Sequence, residues 1–246
     1  SLQGESPATI IPTFLGAHAI PAEYKDRSDA YVDLVVNDML PEVVAEERPS
    51  FCDVFCEDGA FSLEQTWRVL EAAMALGLGL KLHADEFNSL GGTPLAVRMG
   101  AVSVDHLVCT PPAALELLAQ SDTIGVALPG TPFGLGHQKY APARALIDAG
   151  GVVALATDCN PGTCWCESMQ LMIAVACRYM GMTPAEAISA ATINAAHAVG
   201  LGDKVGSLEP GKRADVLLVD VPSYQHLGYR FGTNLVRSVV VGGATL

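Results

Sequence analysis

Lys81-Leu82-His83-Ala84-Asp85-Glu86-Phe87 continues an every-second-residue apolar row, Leu78, Leu80 and Leu82. That period puts the three leucines on one face of a short strand, with Lys81 and His83 on the other. The strand runs out into His-x-Asp-Glu. Parallel α/β proteins build sites for metal or acid–base chemistry from imidazole and carboxylate groups gathered at the C-terminal ends of strands. Taken alone, the stretch also reads as a polar run at a strand-to-loop exit, so the flanking chain has to decide.

On both sides the same pattern repeats. Apolar runs near residues 9–15, 51–56, 78–83, 102–107, 123–128 and 152–157 read as strands. Helical spacing follows most of them, over Ala30–Val44 with a kink or restart at Pro41, and again over Thr93–Met99, Pro111–Ala119, Ala141–Ala149 and Glu167–Tyr179. Ser62-Leu63-Glu64-Gln65 and Thr183-Pro184-Ala185-Glu186 are capping boxes, the first opening a helix to about Ala75 and the second a helical region to about Gly200. Gly130–Gly136 reads as a Gly- and Pro-rich loop. Regular β-α alternation means a parallel sheet. His18, Glu57, His83, Glu86, His106 and Asp158 fall at strand C-terminal ends, where a (β/α)8 barrel keeps its active site. No Gly-x-Gly-x-x-Gly or Walker A sequence supports a nucleotide site. The fold class expected is α/β, an incomplete TIM-type (β/α)8 barrel of six β-α units. After residue 203 the chain turns β-rich, in Val216–Asp220 and Val236–Val241. The expected domains are therefore a barrel over residues 1–203 and a small C-terminal β segment over 204–246, too few strands to stand alone.

Composition narrows the function classes. Half of the residues are apolar, aromatics are few, and the formal net charge is −13. Such an acidic chain is a poor fit for nucleic acid or an anionic membrane. No apolar run approaches the ~20 residues that span a bilayer. The start, Ser1–Ser6, has no basic region followed by an apolar stretch, so no signal peptide is expected. Seven cysteines, an odd number in a chain this large, suit reduced thiols in the cytoplasm. Neither Cys52/Cys56 nor Cys164/Cys166 has a second pair at zinc-finger spacing. Cys159 reads as a small buried residue. His137 and His226 read as solvent-facing, and His197 as packed on its helix.

Strand ends bearing His, His and Asp in this order fit metal-assisted hydrolysis. The chain resembles the amidohydrolase superfamily. Five stretches carry the likeness: Thr13-Phe14-Leu15-Gly16-Ala17-His18-Ala19, Lys81–Phe87, Asp105-His106-Leu107, Leu128-Pro129-Gly130, and Ala156-Thr157-Asp158-Cys159-Asn160-Pro161-Gly162. The tail, from Asn194-Ala195-Ala196 through Gly206–Asp215, is similar to the ending common to the superfamily. Within it, the motifs match the branch that opens an imidazolone ring in histidine degradation. The resemblance implies hydrolysis of 4-imidazolone-5-propanoate to N-formimino-L-glutamate, with zinc or iron as the metal. It implies His83 and Asp158 as metal ligands. Glu86 would contact the substrate ring and shuttle a proton, and Asp158 competes with it as base. His106 would orient the water or polarise the carbonyl. His18, Asn160 and Gly162 would contact the substrate or line its pocket. The β appendage would be part of a composite β-sandwich.

One departure stands against these agreements. The superfamily carries a metal-binding His-x-His on its first barrel strand, and this sequence has none. The chain matches from just ahead of the third strand onward, which is expected of a truncated product or an incomplete gene. Rival readings are another cyclic-amide hydrolase or deaminase, and a catalytically silent fragment or binding module. An open barrel exposes strand edges, which predicts a homodimer. The expected partner otherwise is a small-molecule substrate.

Overall fold

The computed structural model describes residues 4, 6–46 and 49–246. The Ser1–Ser6 start, read above as lacking a signal peptide, lies outside them except for Gly4 and Ser6.

Six strands form one sheet and keep chain order: β1 (Thr13–Ala17), β2 (Phe51–Cys56), β3 (Gly79–Ala84), β4 (Ser103–His106), β5 (Ile124–Ala127) and β6 (Val153–Leu155). The pairs β1–β2, β2–β3 and β3–β4 are parallel, with Asp53 opposite Lys81 and His83 opposite Asp105. Each expected strand is present, and most are shorter than the apolar runs that announced them. β1 begins only at Thr13, after Pro12, which has no N–H to give to a ladder. β6 stops at Leu155 because the chain then turns into a left-handed conformation at Asp158, φ 52°.

The chain divides into two compact units, Ile11–Gly125 and Ser1–Ile10 with Val126–Leu246, and the division falls within β5. In the first unit the expected helix over residues 30–44 forms as α1 (Ser28–Leu34), a π-helical turn (Val35–Met39) and α2 (Leu40–Ala45). The irregularity comes ahead of Pro41, as ring sterics require: a prolyl ring collides with the carbonyl four residues earlier, and a wider turn relieves it. α3 (Leu63–Ala75) opens on the expected capping box, Ser62 Oγ accepting from Gln65 N and Gln65 Oε1 from Ser62 N. α4 (Gly92–Met99) and α5 (Pro112–Ala119) follow β3 and β4. Leu80, Leu82, Val54 and Val104 from the strands and Val69, Leu70 and Leu95 from the helices make this unit's buried core.

α4 packs against β3 through Gly92. A Cβ there would lie 2.5 Å from Ala84 Cβ. Ala84 adjoins His83, so this contact sets how closely the helix approaches the strand that carries the imidazole. Gly92→Ala is expected to destabilise the protein by roughly 1–3 kcal/mol, the cost of overpacking a close contact. A thermal melt of the variant that matches the parent would refute this.

In the second unit, residues 130–134 are not the loop expected from their glycines and prolines. They form a short helix, α6 (Gly130–Gly134). Gly130 is needed there for closeness, since a Cβ would come 2.4 Å from Cys164 Sγ. α7 (Ala143–Asp148), α8 (Met169–Tyr179) and α9 (Pro184–Ser189) come next. α9 is capped as expected by Thr183 and Glu186, and α10 (Ala195–Ala198) follows it through a π-helical turn. The tail holds β7 (Val216–Val219), α11 (His226–Tyr229), β8 (Val236–Val241) and β9 (Ala244–Thr245), with the three strands in a separate antiparallel sheet. Among the described residues, no helix is long and apolar enough to cross a membrane.

Two expectations for single residues need correction. Cys159 is exposed, not buried, because the left-handed turn at Asp158 carries the next residue outward. His226 is half-buried, its Nδ1 3.3 Å from Ser223 Oγ. His197, although exposed, packs as expected: its ring lies over Gly202, where a Cβ would come within 2.2 Å of it. His137 is exposed, as expected.

Candidate active site

In the first unit, strand order gathers three imidazoles whose residues lie far apart in the chain. His18 follows β1, His83 is the penultimate residue of β3, and His106 ends β4. The His18 and His83 rings meet edge to face at 4.7 Å between centroids, and the His83 and His106 rings at 5.1 Å. Phe55 stacks beside His18 at 6.2 Å.

A buried carboxylate sits beneath the first two rings. Asp53 Oδ1 lies 2.9 Å from His83 Nδ1 and 3.2 Å from His18 Nε2. Burial alone would push the Asp53 pKa up. The charge on His83 and the hydrogen bonds from His18 and His83 outweigh it and hold the group well below the usual carboxylate range. Sequence reading passed over Asp53. Its one signal was an acidic residue in the middle of an otherwise apolar strand, Phe51–Cys56.

His106 is 3 % exposed. Burial, and then the charge of His83, bring its pKa down to about 3, so the ring is neutral near pH 7. Its Nε2 lies 3.5 Å from Glu86 Oε2. Among the described residues, its Nδ1 is buried with no hydrogen-bond partner. An orphaned buried nitrogen costs about 1–3 kcal/mol, a cost that a bound metal, water or substrate relieves.

Glu86 is held by its neighbours on both sides. Asp85 is fully buried in the left-handed region, φ 56°, and its Oδ2 accepts from Thr93 Oγ1 at 2.6 Å and Thr110 Oγ1 at 2.9 Å. On the other side, Glu57 Oε2 accepts from Phe87 N at 2.9 Å and Asn88 N at 3.2 Å. Glu57, read from the sequence as one more strand-end carboxylate, is thus a clamp on the loop that carries Glu86. His106 and Leu107 also adopt positive φ, 81° and 63°. Non-glycine residues in this region are uncommon and cluster at functional sites.

The second unit holds the remaining expected residues. Asp158 Oδ2 accepts from Thr131 Oγ1 at 2.6 Å. Asn160 organises the turn after it: Nδ2 donates to Asp158 O at 2.7 Å, while Oδ1 accepts from Gly162 N and Thr163 N at 2.8 Å each. The Asn160 amide is therefore engaged within the loop, and Gly162 lies exposed at its rim. Thr131, which fixes one oxygen of Asp158, had no sequence signal beyond the motif around it.

Comparison with known proteins settles the family. The amidohydrolase family profile matches residues 56–246. The chain belongs to the amidohydrolase family. Members of this family use a divalent metal, and His83 stands in a histidine–carboxylate cluster of the described residues that could offer such an ion ligand atoms. Imidazole and carboxylate donors of this kind suit a divalent metal, and the orphaned His106 nitrogen is a further group in want of a partner. Among its amidohydrolase relatives, the chain is 58 % identical to an imidazolonepropionase of Herpetosiphon aurantiacus over 244 residues, 96 % of this chain and 57 % of that protein. It is 51 % identical to an imidazolonepropionase of Geobacillus kaustophilus over 242 residues, 98 % of this chain and 57 % of that protein. The chain thus spans under three-fifths of the relatives it matches. Among solved structures, a triazine hydrolase variant superposes with a TM-score of 0.75 at 18 % identity, covering 99 % of this chain and 62 % of that one. An adenosine deaminase from Xanthomonas campestris with bound zinc gives 0.73 at 20 %, with the same coverage. These likenesses establish the barrel fold of the amidohydrolase family, of which this chain supplies six strands.

Proposed function

We propose that the protein is an imidazolonepropionase, opening 4-imidazolone-5-propanoate with water to N-formimino-L-glutamate in histidine degradation. What carries the reading is the 58 % identity to such an enzyme over 96 % of the chain. It is supported by a buried neutral imidazole beside a carboxylate at the C-terminal ends of barrel strands.

In this reading His83 and Asp158 hold the metal, zinc or iron. When bound, such a metal lowers the pKa of water toward 7 and polarises a carbonyl. The protein's own groups do the rest. His106, neutral near pH 7, can donate its N–H to the carbonyl oxygen without releasing a proton to solvent. Glu86 takes a proton from the attacking water and passes it to the ring nitrogen as the C–N bond breaks. The hydroxyl is left on the carbonyl carbon and the nitrogen leaves protonated. His18 meets the substrate ring, and the loop ordered by Asn160 and Gly162 lines the pocket. Seven free cysteines suit the reducing cytoplasm. A homodimer is part of the same reading.

Metal content by plasma mass spectrometry, together with an assay of imidazolone loss, tests the proposal. Near one equivalent of zinc or iron, with ring opening, is the expected result. Metal far below one equivalent and no turnover would reject it for this chain. Light scattering on the same sample reads the dimer, and a monomer would contradict that part.

A further inference from the structure

Asp53 is a charged residue in the interior of a strand, 1 % exposed, with apolar neighbours on both sides in the chain. Such a group is retained at a cost unless it has partners. Its partners are two imidazole nitrogens from two different strands' ends, on one carboxylate oxygen. A carboxylate is an acceptor, and imidazole is the stronger base by about two to three pH units. The nitrogen facing Asp53 on each ring is therefore the one that carries hydrogen. His83 Nδ1 also has Asp105 Oδ2 at 3.9 Å, a second acidic group on the same side, which acts in the same sense.

We infer that Asp53 is a positioning residue that sets the tautomers of both histidines: His83 as Nδ1–H, His18 as Nε2–H. Two consequences follow. His83 has Nε2 as its lone-pair nitrogen, so it binds metal through that atom. His18 presents Nδ1 as an acceptor, so it recognises an N–H donor on the substrate, which a cyclic amide or imidazolone ring carries. Carboxylate support of a ligating histidine raises its basicity and fixes its ring, and losing it costs 10–100-fold in metal affinity in comparable sites.

The metal consequence rests on the reading of His83 as a ligand; the tautomers do not. Long-range proton–nitrogen spectra of the protein labelled with 15N-histidine separate the two. Signals are assigned with His18→Gln and His83→Asn, and spectra are recorded metal-free at alkaline pH and after zinc addition. The expected result is an Nε2–H tautomer for His18 in both states and, in the zinc state, His83 with Nδ1–H and a metal-shifted Nε2. The opposite tautomer for either ring overturns the inference. If zinc leaves His83 unmoved while both metal-free tautomers are as expected, Asp53's role stands and the ligand reading falls. Asp53→Asn is expected to weaken zinc binding about 10–100-fold and to remove the single tautomer at His18. Unchanged affinity with unchanged spectra would overturn the inference. Should that variant fail to fold, the parent spectra decide alone.

Discussion

In the proposed ring-opening reaction, Asp158→Asn is expected to lower the rate by about 10²–10⁴-fold, with loss of bound metal and almost no loss of stability. The substitution is unusually clean. Asp158 has φ 52°, a conformation that Asn tolerates and most residues do not. Thr131 Oγ1, which now donates to Asp158 Oδ2, can donate equally to an amide oxygen. Asn160 holds the backbone carbonyl of residue 158, which the change leaves in place. What disappears is the negative charge and the capacity to accept a proton, worth about 10²–10⁴-fold where the group serves as the base. Metal affinity falls as well, because a neutral amide is a weaker ligand than a carboxylate. Thermal melting, metal content and kcat measured together check the prediction. A variant that binds metal stoichiometrically and turns over within tenfold of the parent would remove Asp158 from the mechanism. Asp158→Ala is a poorer probe, since it adds strain at a left-handed position to the loss of the carboxylate.

Glu86→Gln is expected to lower kcat by about 10²–10⁴-fold while metal content stays unchanged. The loop around Glu86 does not depend on its charge. Asp85 anchors it to Thr93 and Thr110, and Glu57 anchors it through Phe87 and Asn88. A glutamine therefore keeps its place beside His106, where Glu86 Oε2 lies 3.5 Å from Nε2, but it cannot take up a proton. The two variants together decide which carboxylate is the base. If Glu86→Gln retains near-parental turnover while Asp158→Asn is inactive, the proton goes to Asp158 and Glu86 only contacts the substrate.

Much of this was readable in one dimension. The capping boxes at Ser62/Gln65 and Thr183/Glu186 formed as expected because their partners are three residues apart. The strands expected near 51–56 and 78–83 were legible from the apolar pattern and form at 51–56 and 79–84. Less was readable where backbone geometry answers to close packing. Residues 130–134 coil into a helix pressed against Cys164, although glycine and proline announce a loop. The helix ahead of Pro41 widens into a π turn rather than breaking at the proline.

The sequence by itself determined the β-α alternation, the imidazoles and carboxylates at strand ends and, through its motifs, the family. Those signals are local, set by neighbours within one turn or one strand. Only the tertiary structure decided what supports the chemistry. Asp53 reaches His83 across 30 positions and His18 across 35, and Glu57 reaches the Glu86 loop across 30. No periodicity links residues so far apart. Parallel strand pairing brings them together, and burial makes their hydrogen bonds count.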